Sequence, residues 1–446
     1  MSATAATRDE IARLFGRCAF GATSADLDAW TGKPYADAVS SLVDIPSPSG
    51  RRPQSDDTHR AALVQSGGQQ TADTSVRAAQ RWWLERMRTG AYPLEERMTL
   101  FWHGHFATAV RYPYPDVAMI LQQNQTLRTY SLGNFVQLLE AMTVDPAMME
   151  WLDGANNAIP HPNENYAREL MELFSLGKYP QVHGEADVRE AARVLTGWTS
   201  NPQFRTVSFD AAGHDTGTKT VLGTTITNSG DAEYQRLISV ALSQPVSTRF
   251  IAAKLVSNFA YGALAGDLLK SADPLVANVA ATLQTTHWDV RAAMRTLLLS
   301  DEFRLGDASA KRLLVRQPTE ALVASAKVFG ISLDSDQIVY LLRNMGQDLF
   351  RPANVGGFAS GIGWLSPSTI VARYDWGNLL AGKSLSNLPT SGDVDGWAKR
   401  VGLGTLSAET TAALRGFVAA NPTAPEKTRQ AGVLTLLLTS PDWMAL

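Results

Sequence analysis

Helical periodicity governs nearly the whole of this 446-residue sequence. Between successive glycine and proline breaks, apolar side chains recur every three or four positions, the spacing that aligns them on one face of an α-helix. One segment differs, because residues 204–226 are rich in Thr, Val, Phe and Gly in short alternating runs, which is typical of a β-hairpin. We therefore predict a mainly α fold, a multi-helix bundle or array with a short β-hairpin excursion near residues 204–226.

Breaks in this periodicity predict the domain organisation. Residues 46–74 are rich in Pro, Ser, Gly, Gln and Asp and weakly apolar, which indicates a flexible loop or linker. We expect N-terminal helices over residues 1–45 and a helical core over residues 75–300 that carries any polar or metal centre. Residues 301–446 are expected to form a C-terminal helical region packed on that core.

Charge and motifs exclude several functional classes. The formal net charge of −3 argues against a nucleic-acid partner. The single cysteine, Cys18, excludes a disulfide within the chain and a multi-cysteine zinc site. No glycine-rich nucleotide-binding motif is present, so no nucleotide cofactor is expected. We see neither a membrane-spanning apolar run nor a secretory signal, so a cytoplasmic location is the default expectation.

The first candidate site is the pair His103 and His105, which lies among aromatic residues at the end of a predicted helix. The two imidazoles can converge on one metal ion if Gly104 breaks the helix. In an unbroken helix they would point apart by ~200°. The alternative is that both are buried, hydrogen-bonded histidines in an aromatic wall.

The second candidate is the helix that follows the Pro-Asn-Glu-Asn segment. Asn163 is a plausible N-cap, and Glu164 suits the first turn. Asn165, Glu169 and Glu172 share one face, which borders the apolar stripe. A carboxylate in that position needs a metal ion or another cation as partner, or else an ion pair with a neighbouring arginine.

The third candidate is the step His214-Asp215 in the β-like segment, which fits either ordinary turn chemistry or an acid/base pair. On the preceding helix, Asp187, Glu190 and Arg193 are spaced for salt bridges on the helix surface.

Five strings resemble, in order, the bacterial family catalogued as domain of unknown function 1800: EERMTLFWHGHF, LDGANNAIPHPNENYARELMELFSLG, ADVREAARVLTGW, HD-x-GTKTVLG and GQDLFRPANVGGF. Many members of that family are exported and are encoded beside a sulfatase-like family. The resemblance therefore implies export and a sulfatase-like partner. It also implies that members share the polar residues of the three candidate sites.

The sharpest hypothesis is a metal-dependent enzyme. His103 and His105, completed by Glu169 or Glu172, would hold a divalent Fe, Mn or Zn ion with open coordination positions. Such a centre permits either O2 chemistry or hydrolysis by an activated water. The aromatic surroundings favour an oxidoreductase acting on a small-molecule or polymer substrate.

Four further residues would serve catalysis at that centre. His214 and Asp215 would act as acid and base, and Arg168 or Arg193 would hold an anionic substrate group. The rival hypothesis is a non-catalytic helical scaffold or partner-binding protein. In that case the polar residues, with Asn163, Glu164, Asn165 and Asp187 among them, would form a structural network.

Overall fold

The structure is a computed structural model that describes residues 4–46, 72–305 and 314–445. The predicted fold class is confirmed, since the described residues form 23 α-helices and only two small antiparallel sheets of two strands each. Most of the predicted linker, residues 47–71, lies outside the described residues. Within the described ranges, no helix is long and apolar enough to cross a membrane.

Residues 4–46 and 72–197 form ten α-helices. They are α1 (Arg8–Cys18), α2 (Ser24–Trp30), α3 (Tyr35–Val43), α4 (Ala72–Thr89), α5 (Pro93–His105), α6 (Val117–Thr129), α7 (Phe135–Thr143), α8 (Pro146–Trp151), α9 (Asn165–Glu169) and α10 (Glu185–Val194). Helix α9 continues into a π-helical turn, Leu170–Ser175.

Two β-hairpins follow α10. Strands β1 (Trp198–Asn201) and β2 (Thr206–Phe209) pair antiparallel, and so do β3 (Lys219–Val221) and β4 (Thr224–Ile226). The β excursion therefore begins at Trp198, earlier than the predicted residue 204, and consists of two hairpins.

Helices make up the rest of the described chain. They are α11 (Glu233–Leu242), α12 (Pro245–Phe259), α13 (Ala265–Lys270), α14 (Pro274–Thr285), α15 (Val290–Leu298), α16 (Asp301–Arg304), α17 (Pro318–Phe329), α18 (Asp336–Asn344), α19 (Pro367–Ala381), α20 (Val394–Arg400), α21 (Ala408–Ala420), α22 (Glu426–Leu438) and α23 (Pro441–Met444).

Helix α5 lies between two apolar clusters. Met98 and Trp102 belong to the cluster built around the N-terminal and central helices, whereas Leu100 belongs to the cluster that joins α4 to the C-terminal helices. Because both sides of α5 are covered, its charged residues are buried too, and they require partners. The carboxylate of Glu96, for example, accepts hydrogen bonds from Arg86 and Arg128, each at 2.6 Å.

Candidate functional site

Helix α5 runs without a break through Gly104, because the amide of Phe106 still donates to the carbonyl oxygen of Trp102 at 2.8 Å. The helix break that would have let the two histidines converge is therefore not formed. Gly104 serves close packing instead. Gly357, at φ +87°, lies against its carbonyl oxygen, and a Cβ at Gly357 would overlap that oxygen.

His103 is buried and its ring is engaged by its surroundings. Its Nε2 accepts a hydrogen bond from the amide of Phe350 at 3.1 Å, which occupies the lone pair that a metal would need. The ring also contacts Trp83, with 5.3 Å between the ring centroids. Burial lowers the pKa of His103 to about 3, so the imidazole is neutral at physiological pH.

His105 faces a different set of neighbours. Its Nε2 lies 3.2 Å from the carbonyl oxygen of Phe174. Since a carbonyl oxygen only accepts, this assigns the hydrogen to Nε2 and leaves a lone pair on Nδ1. That nitrogen has no hydrogen-bond partner among the described residues. Burial, and then the charge of Lys254, hold the pKa of His105 well below its usual value.

The predicted carboxylate ligands are partly engaged by cations. Glu172 pairs with Lys178 at 2.8 Å and lies 3.9 Å from Arg168. Burial, followed by the nearby charge of Glu172, raises the pKa of Glu169. Over the described ranges, no group of three or more His, Cys, Asp or Glu side chains is placed to hold a metal ion. The structure thus does not gather the four predicted ligands into one group.

The Pro-Asn-Glu-Asn segment makes local hydrogen bonds and ion pairs. Asn163 accepts a hydrogen bond from the amide of Asn165 at 2.9 Å, and Glu164 pairs with Arg168 at 3.0 Å. Arg168 also pairs with Glu185 at 2.8 Å, which joins α9 to the start of α10. The helix itself begins at Asn165, so the N-cap position is held by Glu164 and not by Asn163 as predicted.

His214 belongs to a fully buried charged cluster that the sequence did not reveal. Its Nε2 lies 2.9 Å from Glu233, and the same carboxylate pairs with Lys219 at 2.6 Å. The side chains of Lys219 and Glu233 are 0% exposed. The His214 Nδ1 donates to the carbonyl oxygen of Thr196 at 2.8 Å. This cluster joins β3 to α11.

Arg193 and Asp187 attach the second hairpin to α10. Arg193 forms a two-point ion pair with Asp215, at 2.7 and 3.1 Å, and a second pair with Glu190 at 2.8 Å. Asp187 accepts hydrogen bonds from the amides of Gly184 and Leu222, at 2.8 and 2.7 Å. Arg193 and Asp215, two of the predicted catalytic residues, are therefore held in an ion pair with each other.

A cavity of about 180 Å³ lies beside the C-terminal half of α5, between this helix, α12 and the loop that includes residues 356–360. Five separate parts of the chain contribute its polar lining, which consists of His105, Lys254, Ser257, Asn258, Gln317, Gln347 and Ser360. His105 is the one residue of the predicted sites in this lining.

Lys254 is the distinctive side chain of this cavity. It shares one face of α12 with Ser257 and Asn258, three and four residues further on. In the described part of the chain it makes no ion pair, and its Nζ lies 5.5 Å from the ring centre of Phe250. Burial lowers its pKa to about 8. Near pH 8, a large fraction of the Lys254 side chains is therefore neutral.

Two glutamines orient the hydrogen-bond donors beside Lys254. Gln347 accepts from the amide of Thr319 at 2.9 Å and donates through Nε2 to Gln317 Oε1 at 3.1 Å. This chain of bonds leaves the amino group of Gln317 as a donor at the cavity. Asn258 accepts from Arg97 at 2.8 Å, so its own amino group is also left as a donor.

Sequence reasoning missed Lys254 and its neighbours. The signal that could have found them is the run Phe250–Phe259, in which a lysine interrupts an apolar helix and is followed by Ser and Asn on the same face. The glutamines and Ser360 leave no local signal, because they reach the cavity only through tertiary packing.

Fold and cavity together define a class: a mainly α-helical protein with a small, polar-lined site beside its central helix. The chain belongs to the family described as protein of unknown function, DUF1800, whose model matches residues 13–445. No curated protein and no solved structure matches the chain.

Proposed function

We propose that this protein is an enzyme whose reaction takes place in the cavity beside α5, where Lys254 forms an imine with a small carbonyl substrate. One observation carries the proposal: Lys254 lines a cavity among polar groups and has no carboxylate partner in the described ranges. Lysines in proteins are nearly always exposed or paired, and a desolvated lysine amine is a known nucleophile.

The chemistry balances with the groups present. The lone pair of the neutral Nζ attacks the carbonyl carbon and a C–N bond forms. The carbonyl oxygen then takes up the two amine protons, and the C–O bond breaks to release water as the C=N bond forms. His105 lines the same cavity and carries its free lone pair on Nδ1, so it can pass one of these protons from Nζ to the departing oxygen. Because its pKa is lowered, it does not retain the proton.

The remaining lining favours a substrate with further oxygen atoms. The amino groups of Gln317 and Asn258 and the hydroxyl of Ser360 are donors, and they suit hydroxyl, carbonyl or carboxylate oxygens. A volume of about 180 Å³ restricts the reacting part of the substrate to a few carbon and oxygen atoms.

Reductive trapping tests this proposal. Pyruvate and dihydroxyacetone are incubated with the protein, sodium borohydride is added, and the modified peptides are identified by mass spectrometry. We expect selective modification of Lys254 and its loss in Lys254→Met and Lys254→Arg. The control is Lys33→Met, which removes an exposed lysine. Equal labelling of Lys33 and Lys254 with both probes would refute the proposal.

The metal-dependent enzyme remains a second proposal, with His103, His105 and Glu169 or Glu172 as ligands of Fe, Mn or Zn. Its support is the unpartnered Nδ1 of His105. Elemental analysis of wild type, His103→Ala and His105→Ala tests it. Stoichiometric metal that both substitutions remove would establish the site, and metal-free preparations of the wild type would rule it out.

The contacts of His214, Asp215 and Arg193 favour the non-catalytic alternative for these three residues. His214, Asp215 and Arg193 are held in ion pairs that attach the hairpin to α10 and α11. We propose that they stabilise the fold. Export and a sulfatase-like partner also remain proposals, which secretion assays and co-purification from the native host would test.

A further inference from the structure

A second cavity, of about 400 Å³, lies between α1, α23 and residues 403–405. Two arginines and two aspartates line it: Arg13, Arg316, Asp9 and Asp442. It is separate from the cavity at Lys254, although Arg316 and the adjacent Gln317 line one cavity each.

Arg316 is a buried cation that forms an ion pair with no carboxylate among the residues that the structure describes. The residue is 1% exposed. Its Nε donates to the carbonyl oxygen of Trp443 at 3.0 Å, and its guanidinium lies 4.2 Å from the centre of that residue's indole ring. Its Nη1 has no hydrogen-bond partner within the described residues. The nearby carboxylate of Glu320 is engaged by Arg97.

Two further arginines near Arg316 also form no ion pair in the described ranges. Arg373, also buried, donates to the carbonyl oxygen of Arg316 at 2.9 Å, and its Nε and Nη1 have no partners among the described residues. Arg13 donates to the carbonyl oxygen of Arg304 and forms no ion pair in the described ranges. Burial lowers the pKa of Arg316 to about 10, which still leaves the guanidinium charged at neutral pH.

The two aspartates are engaged elsewhere. Asp9 accepts hydrogen bonds from the amide and hydroxyl of Thr405, at 2.8 and 3.3 Å. Asp442 accepts from the amide and hydroxyl of Ser407, both at 2.9 Å. Their carboxylates therefore hold the loop that forms the cavity wall, and within the described ranges neither forms an ion pair with Arg13 or Arg316.

We infer that this cavity binds a small molecule through an oxyanion, a carboxylate or phosphate group held between Arg13 and Arg316. Buried charges in proteins are paired, so a buried guanidinium at a cavity wall without a carboxylate partner indicates an anionic ligand. The guanidinium fork matches both carboxylate and phosphate oxygens.

Calorimetric titration tests the inference with the whole protein at pH 7. Inorganic phosphate and succinate are the probes, and sodium chloride at equal ionic strength is the control for screening. We expect saturable binding of at least one probe. Binding of phosphate alone would identify a phosphate site, and binding of succinate alone a carboxylate site.

Three variants locate the binding. Arg13→Gln should weaken it by about tenfold or more, because a charge-assisted hydrogen bond is lost. Arg316→Lys keeps the charge but removes the fork, and should also weaken binding. Arg415→Gln removes an exposed arginine and should leave binding unchanged. If neither probe binds, or if Arg13→Gln and Arg316→Lys bind like wild type, the inference fails.

Discussion

The buried cluster around Glu233 allows a quantitative prediction. Glu233 accepts from His214 at 2.9 Å and pairs with Lys219 at 2.6 Å, and all three side chains are 2% exposed or less. In Glu233→Leu the ammonium of Lys219 loses its carboxylate while it remains buried. Removal of one partner from a buried ion pair costs about 3–5 kcal/mol, so we expect a loss of that size.

A double variant shows how much of this loss comes from leaving the ammonium of Lys219 buried without a partner. Lys219→Met combined with Glu233→Leu removes both charges and fills the space with apolar atoms. Replacing both partners of a buried pair is often close to neutral, so the double variant should recover much of the stability lost by the single one. Asp44→Ala provides the surface control, because its pair with Arg295 is 52% and 34% exposed and should contribute about 0–1 kcal/mol.

Hydrogen exchange at the amides of β3 and β4 is the assay, since a chain of this length need not unfold in one step. A loss of about 3 kcal/mol accelerates exchange through opening by more than a hundredfold. If Glu233→Leu changes exchange no more than Asp44→Ala does, the cluster does not stabilise the hairpin. A catalytic role for His214 would then regain support.

Three further predictions follow from the same structure. Burial raises the pKa of Asp145 from 3.8 to about 7, so the folded protein binds this proton more tightly than the unfolded chain does. Its contribution to stability is therefore present below about pH 4 and is lost as the pH rises to about 7. In Asp145→Asn, the fall in melting temperature that Asp145 causes between about pH 4 and pH 7 should disappear. A melting temperature that depends on pH as it does in the wild type would contradict this prediction. Gly357→Ala should destabilise the protein by about 1–3 kcal/mol, because the new Cβ meets the carbonyl oxygen of Gly104 at a positive φ. Gly392→Ala, which meets nothing within 4 Å, is its control in thermal melts. Borohydride trapping at Lys254 should rise with pH around a midpoint near pH 8, as the amine loses its proton. A rise centred near the ordinary lysine value would show that the amine is not desolvated.

The sequence by itself determined the fold class and the family. Apolar residues at helical spacing require helices whatever the tertiary arrangement, and the family resemblance is confirmed over residues 13–445. The β excursion was also predictable from its composition, although its first strand begins at Trp198. These properties depend on local patterns of residues, which can be recognised in the sequence without knowledge of the tertiary structure.

Tertiary structure alone decided the roles of the polar residues. The spacing of His103 and His105 left convergence open. In the structure the two imidazoles do not converge. The loop at Gly357 packs on the intact helix at Gly104, and the amide of Phe350 donates a hydrogen bond to His103. Lys254 and Gln347 meet at one cavity although 93 positions separate them in the sequence. A lone pair is free or engaged according to what lies within about 3 Å of it, and for these side chains those neighbours come from distant parts of the chain.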